Sequence, residues 1–165
     1  MAKSYQKSFS AVWWIGGFIV VAIGLIIFLA VKYPGPSKSN REVALACTTD
    51  KATRFHIHPN LEIVINGERR VIPTNIGING NCMNAFHTHD TSGQIHVESP
   101  QKRDFTLSDF FAIWNESYSK DQILDFKVDD QHIIRETVNG QEGEDYENTV
   151  LRDKDKIVIS YEERK

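Results

Sequence analysis

The chain has 165 residues, 41% of them hydrophobic and 25% charged, with a formal net charge of −3. That length suits one domain plus an anchor. Residues 41–165 hold 22 acidic side chains against 15 basic ones, a net −7, which argues against nucleic acid as a partner and against a domain lying flat on anionic lipid.

Residues 1–11 read as a short polar tail. From Val12 to Val31 there is no charged residue (VWWIGGFIVVAIGLIIFLAV). As a helix such a run spans roughly 30 Å, the thickness of a bilayer core, and it shows no polar face. It is longer than the apolar core of a cleaved signal peptide, and Lys32-Tyr33-Pro34 follows it directly. The expectation is an uncleaved single-pass transmembrane anchor over 12–32. Lys3 and Lys7 before it nearly balance Lys32, Lys38 and Arg41 after it, so flanking charge decides little about orientation. The short leading tail and the acidic domain favour the outer, extracytoplasmic side. Residues 33–46, opening with Tyr33-Pro-Gly-Pro, read as a linker, because proline and glycine there oppose helix and strand. Residues 47–165 then form the soluble domain.

Within it, Leu61–Ile65 alternates and meets Asn66-Gly67, followed by Glu68–Ile72, a strong hairpin signal. Ile95–Glu98 reads as a short strand. Thr106-Leu-Ser-Asp109 reads as a capping box opening a helix over Leu107–Asn115, with Leu107, Phe110, Phe111 and Trp114 on one face. Ile123–Val128 and Ile133–Val138 read as strands, Asn139-Gly140 as a turn, and Lys156–Tyr161 as the closing strand. The order implies an α+β domain with one main helix on a mixed or antiparallel sheet. Leu151-Arg-Asp-Lys-Asp-Lys-Ile157 resembles the approach to the last strand of β-grasp domains of the ubiquitin-like kind. The hairpin and the central helix fit that plan, so the resemblance implies a β-grasp-like domain.

Five of the six histidines lie between positions 56 and 96: His56-Ile-His58, His87-Thr-His89-Asp90 and His96. In an extended segment residues i and i+2 point to one side, so each His-x-His pair aims two imidazoles at one point. Neutral imidazole suits zinc and copper. Asp90 is a further ligand or a partner that fixes a ring tautomer. The plainer alternative is a buried polar network tying loops to the hairpin, or a pH-responsive cluster. His132 stands alone and reads as an ordinary histidine. The stretch from His87 to His96 is the richer one, while His56 and His58 precede Pro59, where extended backbone is favoured.

Cys47 and Cys82 are the only cysteines. Outside the cytoplasm they form a possible disulfide. If Cys82 were free, its thiolate and the Met83 thioether would favour copper. Catalytic signatures are weak. Ser92-Gly93 near His89 and Asp90 lacks a strand-turn-helix elbow, and neither His-Glu-x-x-His nor a phosphate-binding glycine loop occurs.

The segments His56-x-His-Pro-x-Leu-Glu-Ile63, Asn66-Gly67, Ile72-Pro-x-Asn-Ile-Gly77, His87-Thr-His-Asp-x-x-Gly-x-Ile-His-Val-Glu-Ser-Pro100 and Phe105-Thr-Leu-x-Asp-Phe-Phe111 together resemble an uncharacterised family of small membrane-anchored prokaryotic proteins. The resemblance covers about residues 47–161 and implies no catalytic residue. The function expected is therefore a non-enzymatic, membrane-anchored, extracytoplasmic domain that binds copper or zinc through His87, His89 and His96, with His56, His58 and Asp90 as further candidates. It would serve a membrane-protein partner. The alternatives are an accessory interaction module with structural histidines, and a small metalloenzyme.

Overall fold

The computed structural model describes residues 9–32, 38–49 and 53–164. Among these, the helices are α1 (Phe9–Lys32), α2 (Asn40–Leu45) and α3 (Leu107–Trp114). The strands before α3 are β1 (Phe55–Ile57), β2 (Asn60–Ile65), β3 (Glu68–Arg70), β4 (Ile78–Asn79), β5 (Cys82–Met83), β6 (Phe86–His87) and β7 (His96–Ser99). Those after it are β8 (Tyr118–Ser119), β9 (Gln122–Ile123), β10 (Phe126–Lys127), β11 (His132–Val138), β12 (Gln141–Glu142) and β13 (Lys156–Glu163).

The chain divides into two compact units, 1–37 and 38–165. The first contains α1. Here the expected transmembrane, single-pass anchor over 12–32 is corrected: among the described residues, no helix is long and apolar enough to cross a membrane. Most of the polar tail (1–8) and part of the linker (33–37) lie outside the described residues, and 40–45 within the expected linker are helical.

In the second unit, alternation builds the main sheet, ordered β12-β11-β13-β2-β3. β2 and β13 are parallel neighbours, with Leu61 beside Ile157, Ile63 beside Ile159 and Ile65 beside Tyr161. All six are buried, because residues two apart share a face and this face is the core side. Asn66-Gly67 turns β2 into β3, with both residues at positive φ. Against the same core α3 buries Leu107, Phe110 and Phe111. Its first turn is held by the Asp109 carboxylate, which accepts the Thr106 N–H at 3.1 Å. Asn115 ends it in the left-handed conformation, its N–H donating to the Phe111 carbonyl. α2 packs on α3, where the Arg41 guanidinium donates to the Ser108 carbonyl at 2.7 Å and pairs with Asp109 at 3.2 Å.

The expected plan of an anchor followed by a β-grasp-like domain is corrected as well. Among the described residues the protein is a mixed α/β chain made mostly of strands, which form four separate sheets. Outside the main sheet, β4 and β5 form one small sheet, and β1, from before β2, joins β7 and β6 in another. The five clustered histidines lie in or beside this second sheet rather than in the main one. After α3, the stretch 123–128 is not one strand. Leu124 takes a φ of 52°, so β9 and β10 fold back as a tight hairpin beside β8.

Candidate metal centre

β7 is the middle strand of the small antiparallel sheet β1-β7-β6. On one side His56 faces Glu98 and Ile57 faces Val97. Continuing that register by one residue brings His58 opposite His96. On the other side His87 faces His96 and Phe86 faces Val97. Residues opposite one another in an antiparallel pair point to the same face. His58, His96 and His87 therefore form a row across the three strands. His56 and His89, each two residues from a member of that row, share its face. The other face carries Ile57, Val97 and Phe86, all buried in the core. The hydrophobic requirement of one face thus forces the imidazoles onto the other.

The rings meet. His96 lies with its ring centroid 5.5 Å from His56, 4.6 Å from His58, 5.3 Å from His87 and 4.6 Å from His89. His56 and His58 are 4.3 Å apart, and His87 and His89 are 5.0 Å apart. Two sets of three nitrogens, from His56, His58 and His96 and from His87, His89 and His96, each lie within 4.8 Å of one another. His87 is 1% exposed, His58 and His96 are half-buried, and His56 and His89 face solvent. Burial, reinforced by neighbouring histidines, pushes the His96 pKa below its usual value, although Glu98 acts the other way. A lowered pKa keeps the ring neutral and the lone pair of one ring nitrogen available.

Local structure holds these segments in place. The Thr88 hydroxyl, between His87 and His89, donates to the Pro73 carbonyl at 2.8 Å and accepts the Ile76 N–H at 3.1 Å. Thr74 donates to the His89 carbonyl at 2.7 Å. Two glycines are required by close approach. A Cβ on Gly77 (φ +71°) would lie 2.0 Å from the Phe86 carbonyl oxygen, and one on Gly93 (φ +87°) would lie 2.2 Å from that of Leu61. Both contacts are closer than any side chain tolerates, so these positions press the histidine sheet onto its supports.

Of the other candidates, Asp90 is turned into its own loop, its carboxylate accepting the Ser92 N–H at 2.8 Å. Hydrogen bonds from Ser92 hold its pKa below the ordinary carboxylate value. It belongs to neither group of three. Cys47 and Cys82 are joined as a disulfide, so Cys82 offers no thiolate. Beside it Thr48 and Met83 exchange backbone hydrogen bonds at 2.9 and 3.0 Å. His132 lies elsewhere, paired with Asp129 at 2.9 Å and stacked on Tyr161.

Two carboxylates escaped the sequence reading. Glu98 lies 3.3 Å from His56 Nε2, and Asp153 lies 3.8 Å from His58 Nδ1 while accepting the His58 N–H at 2.9 Å. Glu98 was detectable in principle, since it stands two residues after His96 in a strand and so shares its face. Asp153 carries no such signal, being 95 residues from His58. Glu98 also lines a cavity of about 340 Å³ together with Lys38, Met83 and Arg103, and none of the five histidines lines it.

No protein-family model, curated protein or solved structure matches this chain.

Proposed function

We propose that the domain is a transition-metal-binding module, taking copper or zinc through His87, His89 and His96. The observation that carries this reading is that these three imidazoles, drawn from two strands and a loop, bring ligand nitrogens within 4.8 Å of one another. Three nitrogens around one ion need to lie roughly 3–4 Å apart, since zinc–nitrogen bonds are about 2.0–2.1 Å, and this set, within 4.8 Å, comes close to that spacing. The neutral His96 ring and the absence of a thiolate favour a borderline ion that accepts imidazole. The Cys47–Cys82 disulfide supports an oxidising, extracytoplasmic location. The module's task is to hold the ion or pass it to a partner protein, without catalysis of its own.

A second reading has its own support. His56 and His58 each lie beside a carboxylate, Glu98 and Asp153, as in a structural network of an interaction module. The test is elemental analysis of the full chain, purified without a histidine tag, loaded with Cu(II) or Zn(II) and dialysed. The expected result is bound metal in the wild type and none in the triple variant His87→Ala, His89→Ala, His96→Ala. Metal-free wild type, or a triple variant that loses thermal stability with unchanged metal content, overturns the metal reading.

A further inference from the structure

The metal-binding reading leaves His56 and His58 without a role, yet they form a group of three as close as the first, and His96 belongs to both. We propose that the five histidines form a two-ion site in which His96 bridges the ions, His56 and His58 completing one position and His87 and His89 the other. The inference rests on the metal-binding reading above.

The strand pairing argues for it. His96 is in the central strand, with His56 and His87 in the two neighbouring strands and His58 and His89 just beyond their ends. Imidazole has two ring nitrogens on opposite edges. Nδ1 of His96 faces the first pair, lying 3.3 Å from His56 Nε2. Its other nitrogen, Nε2, would then serve the second pair, whose rings lie with centroids 5.3 and 4.6 Å from that of His96.

The two positions differ. One pairs the buried His87 with the exposed His89, while the other pairs the half-buried His58 with the exposed His56 and has Glu98 and Asp153 against its rings. Those two carboxylates offset the charge of a second divalent cation, which would otherwise be repelled by the first. They give the outer position the character of an entry site and the inner one that of a retention site. Filling both positions has a chemical consequence. A neutral imidazole has one nitrogen lone pair free, so a bridge needs His96 as imidazolate. Its ring proton leaves to solvent as the second metal–nitrogen bond forms, and no oxidation state changes.

The experiment is a Cu(II) titration of the full chain, followed by metal analysis and electron paramagnetic resonance. The wild type is expected to retain about two equivalents. Its integrated Cu(II) signal should rise through the first equivalent and fall with the second, as the imidazolate couples the two spins. His56→Ala with His58→Ala, and separately His87→Ala with His89→Ala, should each retain about one equivalent with full, uncoupled signal. Circular dichroism confirms that each variant is folded. A wild type that binds a single equivalent, lost only when His87 and His89 are replaced, overturns the bridge and leaves the single-ion reading standing. Two equivalents with uncoupled signal throughout also overturn the bridge. No retained copper or zinc in any form overturns both readings together.

Discussion

Two places in this domain concentrate polar chemistry, and they are built in opposite ways. Glu136, on β11, is fully buried, and its carboxylate accepts hydrogen bonds from the hydroxyls of Tyr118 and Thr149. Every polar atom there has been given a partner, which is how a protein makes a buried carboxyl tolerable. The histidine sheet gathers five rings of one kind, which repel one another when charged and supply mostly the same donors and acceptors. The first arrangement completes itself. The second, on the reading proposed above, would be completed by a cation. A satisfied buried group therefore reads as part of the scaffold, and convergent like groups at a half-open surface read as a site.

The comparison can be broken most forcefully at Glu136. Replacing it with Ala strands two buried hydroxyls and leaves a cavity, so stability should fall by about 3 kcal/mol, read by chemical denaturation. Metal retention by the folded fraction should be unchanged. A loss of metal there would erase the distinction between scaffold and site. Next, adding Zn(II) at about a hundredfold over its dissociation constant should stabilise the wild type by about 2.7 kcal/mol, by mass action alone. The variant lacking His87, His89 and His96 should show no gain in the same melting experiment. Glu98→Gln should weaken metal affinity by about 10-fold, the lower end for groups that orient a ligand ring, measured by competition with a chelating dye.

The smallest effects concern pH, and their signs differ between the two places. Burial raises the Glu136 pKa, ahead of the hydroxyl hydrogen bonds that lower it. A group raised on folding contributes stability that is full below its unfolded value, near 4.5, and is lost as pH rises through the folded value. Glu136→Gln should therefore flatten the decline of stability on raising pH from about 4. His96 in the metal-stripped chain is lowered on folding. Its contribution is present above its usual value, near 6.5, and is lost as pH falls through the lowered one. His96→Gln should flatten the decline on acidification below about 6.5. Thermal melts across this range check both, and slopes of equal sign would contradict the picture.

Local physics made some of this legible. Extended backbone alone puts His56 with His58 and His87 with His89. Asn66-Gly67, with its two positive φ values, marks a reversal that any reading of turn chemistry finds. Thr106 and Asp109 form the start of α3 from a four-residue pattern. Local physics also misled. The uncharged run after Val12 suggested a membrane span that the described helices do not provide. The short motifs around 61–67 and 151–157 suggested a single β-grasp sheet, because a motif of five to seven residues specifies a strand or a turn and not the sheet it joins. Leu124 interrupts the apolar run 123–128 with a positive φ that no propensity for leucine would suggest.

What the sequence by itself determined is which side chains share a side of a strand, where the chain reverses, and that the domain is acidic and rich in imidazole. These depend on neighbours two to four residues apart, and backbone geometry settles them. The tertiary structure alone decided that β7 lies between β1 and β6, so that one ring, His96, belongs to both histidine pairs. It also decided that Cys82 joins Cys47, that Asp90 turns to Ser92, and that Asp153 reaches His58 from 95 residues away. The physical reason is the register between strands distant in sequence, which is set by burying Ile57, Val97 and Phe86 together and has no expression in any single segment.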